Sequence, residues 1–282
     1  VWQYWWMFNK APYLNLKAAI HSGGVSTGSD TFFLGHGQKD QAKDSLKPSE
    51  ETIRQKIVPA LVKALEGETN NDIATAGLIA LAKIGDATSE EGESKFEELI
   101  RARLNDPVQE IRETAAVALG ILSNPASITL LEQILTEHPD ALSLLQEEGG
   151  INYRTRAFAA YGLGLVGYRT EDPKTRRGIV ETLVGVLESP RMATRDVKVA
   201  SLIAMGLVPL DVRETALEED QVENPWDSRQ AQVAYLVEFF EDDKSKDRGY
   251  LVRAHAPRSI AMLLEGASPE VRDAAVETLL KY

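Results

Sequence analysis

One short pattern keeps returning along this chain, and it limits the fold more than any other feature. Residues 111–120 read Ile-Arg-Glu-Thr-Ala-Ala-Val-Ala-Leu-Gly: a branched residue, a base, then small residues three and six places on. The skeleton recurs at Thr155-Arg156, leading to Ala159 and Gly162-Leu163-Gly164. It recurs at Val197-Lys198, leading to Ser201 and Ala204-Met205-Gly206, and at Val252-Arg253, leading to Ala256 and Ser259-Ile260-Ala261. A further copy is Val271-Arg272 with Ala275 and Thr278-Leu279. A weaker one is Ile73-Ala74 with Gly77 and Ala80-Leu81-Ala82, its base lost. The intervals from position 74 onward are 38, 44, 42, 55 and 19 residues. A unit of this length cannot bury its apolar side alone and must stack on its neighbours.

The apolar residues inside each copy fall three and four apart, which is one face of an α-helix. Small residues at i, i+3 and i+6 let a neighbouring helix come close. A second amphipathic segment precedes or separates the copies, at 51–65, 94–104, 127–135, 174–187 and 228–240. Ser49 before Glu50-Glu51 has the form of an N-cap followed by acids in the first turn. Asn105-Asp106-Pro107, Ser123-Asn124-Pro125 and Ser189-Pro190 mark turns. Pro59 falls inside the first long helix and predicts a kink there. No β-branched run with period two supplies a sheet. The excess in the 55-residue interval sits in an acidic, Pro-containing stretch, 211–227. The final interval of 19 leaves room for one helix, which predicts a cap or a cut repeat.

Copies of the form Val/Ile-Arg-x-x-Ala-x-x-Ala-Leu-Gly, each preceded by a turn such as Asn105-Asp106-Pro107-Val108, resemble the HEAT-repeat family. The resemblance runs from Ser49 to Tyr282. It implies an all-α, right-handed α-solenoid of stacked antiparallel helix pairs, about five repeats and a terminal helix, with the second helices lining a concave surface. In such families the recurrent base ties adjacent repeats together, a role that passes to Arg112, Arg156, Lys198 and Arg253. The repeat signal is specific for architecture and says little about function.

Residues 1–48 depart from the repeat and form a separate N-terminal region ahead of the 49–282 solenoid. Trp2, Trp5 and Trp6 fall on one helical side, with Phe8 and Tyr13 nearby. The expected role is an apolar cap over the open end of the first repeat. The alternative is an aromatic docking patch, since Trp and Tyr are enriched at binding hot spots. Trp2, Trp5, Trp6 and Tyr13, together with Trp226 in the acidic insertion, are the candidate partner-binding residues. Trp2, Trp5-Trp6, Phe8-Asn9 and Pro12-Tyr13-Leu14 also resemble the start of exported bacterial HEAT-repeat proteins of unassigned function. That likeness implies an exported or periplasmic location. The loop at 21–37 is rich in Gly and Ser but lacks the order of a phosphate-binding loop.

The residues offer little for catalysis. The formal net charge is −12, which opposes binding to nucleic acid and favours a basic protein partner. There is no cysteine, so thiolate catalysis and zinc–thiolate sites are excluded. His21, His36 and Asp30 match no standard zinc spacing. His138 and His255 lack the His-Glu pairing of iron-dependent helical-repeat hydroxylases. No cofactor or metal site is expected, and no run is apolar enough to span a membrane. The acidic stretches at 214–223 and 238–243 read as solvated surface.

The sequence therefore predicts a non-catalytic scaffold that binds a protein along a concave helical surface. Two alternatives stand beside it. One is an enzyme or cofactor-handling protein, bilin-lyase-like or metal-dependent. The other is a structural subunit of a larger assembly, docking through the Trp-rich end.

Overall fold

The computed structural model describes residues 48–67, 70–86, 94–189, 194–213, 223–242, 249–265 and 267–281. Trp2, Trp5, Trp6, Tyr13, His21 and His36 lie outside the described residues, as does most of the acidic stretch after Arg213. The chain divides into two compact units, residues 1–60 and 61–282.

In the first unit the described residues begin a helix at Ser49, whose Oγ accepts the Thr52 N–H at 3.2 Å. One helical turn, Glu50–Thr52, passes into a π-helical turn, Ile53–Ile57, and then into α1 (Val58–Gly67). Pro59 does not end the helix. Its ring crowds the carbonyl four residues earlier and offers no N–H, and the wider π turn lies where that crowding falls.

The second unit alternates two kinds of helix. After α1 come α2 (Asn71–Ile84), α3 (Lys95–Ala102) and α4 (Gln109–Leu122), then α5 (Ala126–Thr136) and a short α6 (Pro139–Leu144). They are followed by α7 (Tyr153–Arg169), α8 (Pro173–Glu188), α9 (Arg195–Leu207), α10 (Arg229–Glu241), α11 (Tyr250–Arg253), α12 (Ala256–Leu263) and α13 (Pro269–Leu280). The helices carrying the repeated skeleton pack in one row: α2 on α4, α4 on α7, α7 on α9, α9 on α12. Their partners form a second layer, with α3 on α4, α5 on α7, α8 on α9 and α10 on α12. Leu119, Leu131, Ile134, Leu163, Leu183, Met205 and Leu236 are completely buried between the layers. The all-α stack of helix pairs expected from the periodicity is what forms, and no strand occurs among the described residues.

The skeleton residues are small for a visible reason. A Cβ on Gly120 would lie 2.3 Å from the Gly162 Cα, one on Gly164 2.8 Å from the Ala204 Cα, and one on Gly206 2.7 Å from the Ser259 Cα. Gly120, Gly164 and Gly206 hold the same repeat position, as do Gly162, Ala204 and Ser259. Three of the four row junctions are thus one contact repeated, backbone against backbone. Ser259 adds a hydrogen bond from its Oγ to the Leu202 carbonyl at 2.7 Å.

Two departures from the sequence pattern have local causes. Val271-Arg272 lies on α13, which packs on α10 and so belongs to the second layer. It is a second-layer helix and not another row helix, as the 19-residue interval requires. The last row helix is broken into α11 and α12 because Pro257 sits in the first turn of α12.

Candidate interaction surface

Each row helix has neighbours on three sides and solvent on the fourth. The solvent stripe can be followed through the repeat intervals. One position carries Ile79, Val117, Tyr161 and Ile203, all half-buried. A second carries Ile121, Leu165 and Leu207, half-buried, and Met262, 37% exposed. A third, near the helix N-termini, carries Asp72, Glu110, Arg154 and Asp196, all exposed. The first two positions also carry exposed Lys83 on α2 and exposed Arg258 on α12, so the band is apolar across α4, α7 and α9, has a base at either end and is edged on one side by carboxylates. Arg154 interrupts the acidic edge, and its guanidinium is held by the buried carboxylate of Glu113 at 2.8 Å.

The band deepens between α7 and α9. A cleft of about 380 Å³ there is lined by Tyr153, Arg154, Phe158 and Tyr161 of α7 and Asp196 and Val199 of α9. The Phe158 and Tyr161 rings stand at 87° with centroids 6.0 Å apart, so two walls of the cleft meet edge to face. Burial pushes the Tyr161 hydroxyl above its ordinary value; Arg258 opposes that shift and Asp196 adds to it. At the other end of the same helices a second cleft of about 380 Å³ is lined by Tyr168, Leu207, Pro209, Arg229 and Met262, among others.

The four bases predicted to tie repeats together make several kinds of contact. Arg156 donates from Nε to the Leu135 carbonyl at 2.9 Å and pairs with Glu137 at 2.5 Å, both in its own hairpin. Burial lowers its pKa and Glu137 partly restores it. Arg253 likewise reaches the Phe240 carbonyl at the end of α10, at 2.8 Å. Arg112 bonds Gln109 at 2.6 Å and lies 3.6 Å from Glu147, which belongs to the next hairpin. Lys198 is buried. None of the four lines either cleft. Other groups tie hairpins together: Gln232 donates to the Met205 and Val208 carbonyls at 3.0 and 2.8 Å, and the Arg169 guanidinium bonds the Ile121 carbonyl.

Trp226 is half-buried in the turn Asn224–Asp227, which the Asn224 N–H and Asp227 carboxylate close at 2.8 Å. It leads into α10 of the second layer, so the structure does not bring it to the band. His138 caps α6 through its Nδ1, and His255 is half-buried at the α11–α12 break. Among the described residues no group of three His, Asp or Glu is placed to hold a metal ion. No described helix is long and apolar enough to cross a membrane.

The band residues are not among the partner-binding candidates of the sequence analysis, which lie in the Trp-rich end and at Trp226. The signal was present: advancing Val117 and Ile121 by the repeat intervals lands on Tyr161 and Leu165, then on Ile203 and Leu207.

Helix hairpins whose second members form one continuous row define an α-helical repeat protein. Residues 58–147 match the family model for HEAT repeats, and stacked helix pairs of the same kind continue beyond the matched residues. No curated protein matches it. HEAT repeats commonly mediate protein–protein interaction.

Proposed function

We propose that this protein is a non-catalytic scaffold that binds a basic protein partner along the solvent face of its helix row. The observation that carries this reading is the continuous half-exposed band of Val117, Tyr161, Ile203, Ile121, Leu165 and Leu207, spaced by the repeat and edged by Asp72, Glu110 and Asp196. Apolar anchors in partly desolvated positions supply most of the energy in protein interfaces. Carboxylates at the rim set the encounter rate and choose a partner of opposite sign. The net charge of −12 acts the same way at longer range.

The test is capture of a partner from native extract by the intact chain, compared with the Ile203→Asp variant. Ile203 is half-buried, so a thermal melt must show the variant folded. A partner retained stoichiometrically by the parent and lost by a folded variant supports the reading. A partner retained equally by both removes the band from the interface. The association rate should fall as salt rises; a rate indifferent to ionic strength excludes a basic partner.

A further inference from the structure

The two clefts at opposite ends of the α7–α9 seam differ in chemistry, and together they describe a guest. We infer that the seam binds an extended segment of a partner, taking a cationic side chain, Lys or Arg, in the Tyr153–Phe158–Tyr161 cleft and an apolar side chain in the Tyr168–Met262 cleft. This rests on the reading that the row face binds a basic protein, and it names what that face recognises.

The first cleft fits a cation. Three aromatic side chains line it, and a cation over an aromatic face is attracted by the ring quadrupole. Asp196 supplies the counter-charge from the α9 side. Of the bases nearby, Arg154 is held by buried Glu113 at 2.8 Å, and Arg195 lies 3.9 Å from Asp196. Arg258 is exposed on α12 and acts on the Tyr161 hydroxyl, not among the residues lining the cleft.

The second cleft fits an apolar group. Tyr168, Leu207, Pro209 and Met262 form its apolar walls, and Glu265 is its one acidic lining residue. Its one base, Arg229, is spent on backbone: Nε donates to the Leu210 carbonyl and a terminal nitrogen to the Glu265 carbonyl, each at 2.8 Å. Between the clefts the seam is floored by Leu165, Ile203 and Leu207, all half-buried.

The spacing sets the guest's length. Phe158 and Tyr168 are ten residues apart on one helix, about 15 Å at roughly 1.5 Å per residue. An extended chain advances about 3.3 Å per residue, so the two anchors should lie about four or five positions apart in the partner.

The experiment uses the full chain and acetylated, amidated peptides holding one Arg and one Leu joined by zero to eight Gly and Ser residues. Proton NMR titration reads affinity and the ring-current shift of the Arg δ-methylene. Binding should be tightest with the anchors about four or five positions apart, and the δ-methylene should move upfield. Phe158→Leu and Asp196→Asn should each weaken binding roughly threefold to tenfold. Phe158→Leu should also reduce the upfield shift. Met262→Ser should remove the preference for Leu and leave that shift in place. Circular dichroism melts establish that each variant is folded.

A peptide with Glu in place of Arg binding as tightly overturns the cation site, as does saturable binding without an upfield shift. A flat dependence on spacing overturns the two-cleft arrangement. Absence of binding by every peptide overturns both. Failure here with a partner still lost by Ile203→Asp leaves the row face as the interface and removes only this guest. Peptide binding with a partner that ignores Ile203→Asp does the reverse.

Discussion

The two layers of this molecule join their repeats by opposite means. In the row layer the helices meet backbone to backbone, with Gly120 against Gly162, Gly164 against Ala204 and Gly206 against Ser259. In the second layer long side chains bridge the gap. Glu97 of α3 is bonded by Asn124 and, at 2.9 Å, by Ser127 at the start of α5. Thr182 of α8 bonds Glu132 of α5 at 3.2 Å, and Tyr235 of α10 bonds Glu188 of α8 at 2.5 Å. Glycines exist in the second layer too, but Gly178 and Gly185 of α8 have nothing within 4 Å of an added Cβ. The same residue type is thus obligatory in one layer and incidental in the other. Contact at van der Waals distance has no slack, whereas a side-chain bridge tolerates adjustment.

The largest effect should come from the glycines themselves. Gly120→Ala drives a methyl into the Gly162 backbone, which no rotamer change relieves, and should cost about 3 kcal/mol or more in urea unfolding. Gly185→Ala, on an open helix surface, should leave stability unchanged or raise it by up to about 1 kcal/mol. Equal effects at the two sites would erase the contrast between the layers.

A middle-sized effect should come from the side-chain bridges. Glu97→Ala removes the acceptor for Asn124 and Ser127, both buried, and should cost about 1–3 kcal/mol by the same measurement. A cost matching that of Gly120→Ala would mean that the two seams are equally rigid.

The smallest effect should be a pH dependence within the second layer. Burial raises the Glu132 pKa above its ordinary 4.5, and the Thr182 hydrogen bond only partly opposes this. The folded state then holds this proton more tightly than the unfolded state, so the contribution of Glu132 to stability is greatest at low pH. It is lost as pH rises from about 4.5 through the folded pKa. Glu132→Gln should therefore be more stable than the parent at neutral pH, with the difference fading below about pH 4.5. A gain that persists unchanged at pH 3 would trace the effect to packing and not to ionisation.

Much of the fold could be read from the residues because a helical repeat writes its geometry in local steps. The three- and four-residue spacing marked the helices. Ser49, Ser94 and Ser228 stand as N-caps at helix starts, each accepting a backbone N–H. The small residues after each base announced close packing, though not that glycine in one helix would meet the equivalent position two places earlier in the next. The bases were harder. Arg156 and Lys198 look alike in the sequence, as do Arg112 and Arg253. Which carbonyl or carboxylate each reaches depends on where the preceding loop ends. Glu137, for instance, takes a left-handed turn at φ 55° that places its carboxylate on both Arg156 and the Ile151 N–H.

The candidate surface shows the same division. Its residues are ordinary members of amphipathic helices, and nothing about Phe158, Tyr161 or Leu207 taken singly distinguishes a core position from a half-exposed one. The sequence by itself determined the helices, their pairing and the size of the residues at each junction, because these follow from periodicity and from contacts between neighbouring repeats. Only the tertiary structure decided which side of each row helix remains open and where two such sides meet in a cleft. Those outcomes depend on the rotation of each helix against neighbours about 40 residues away, which no local pattern records.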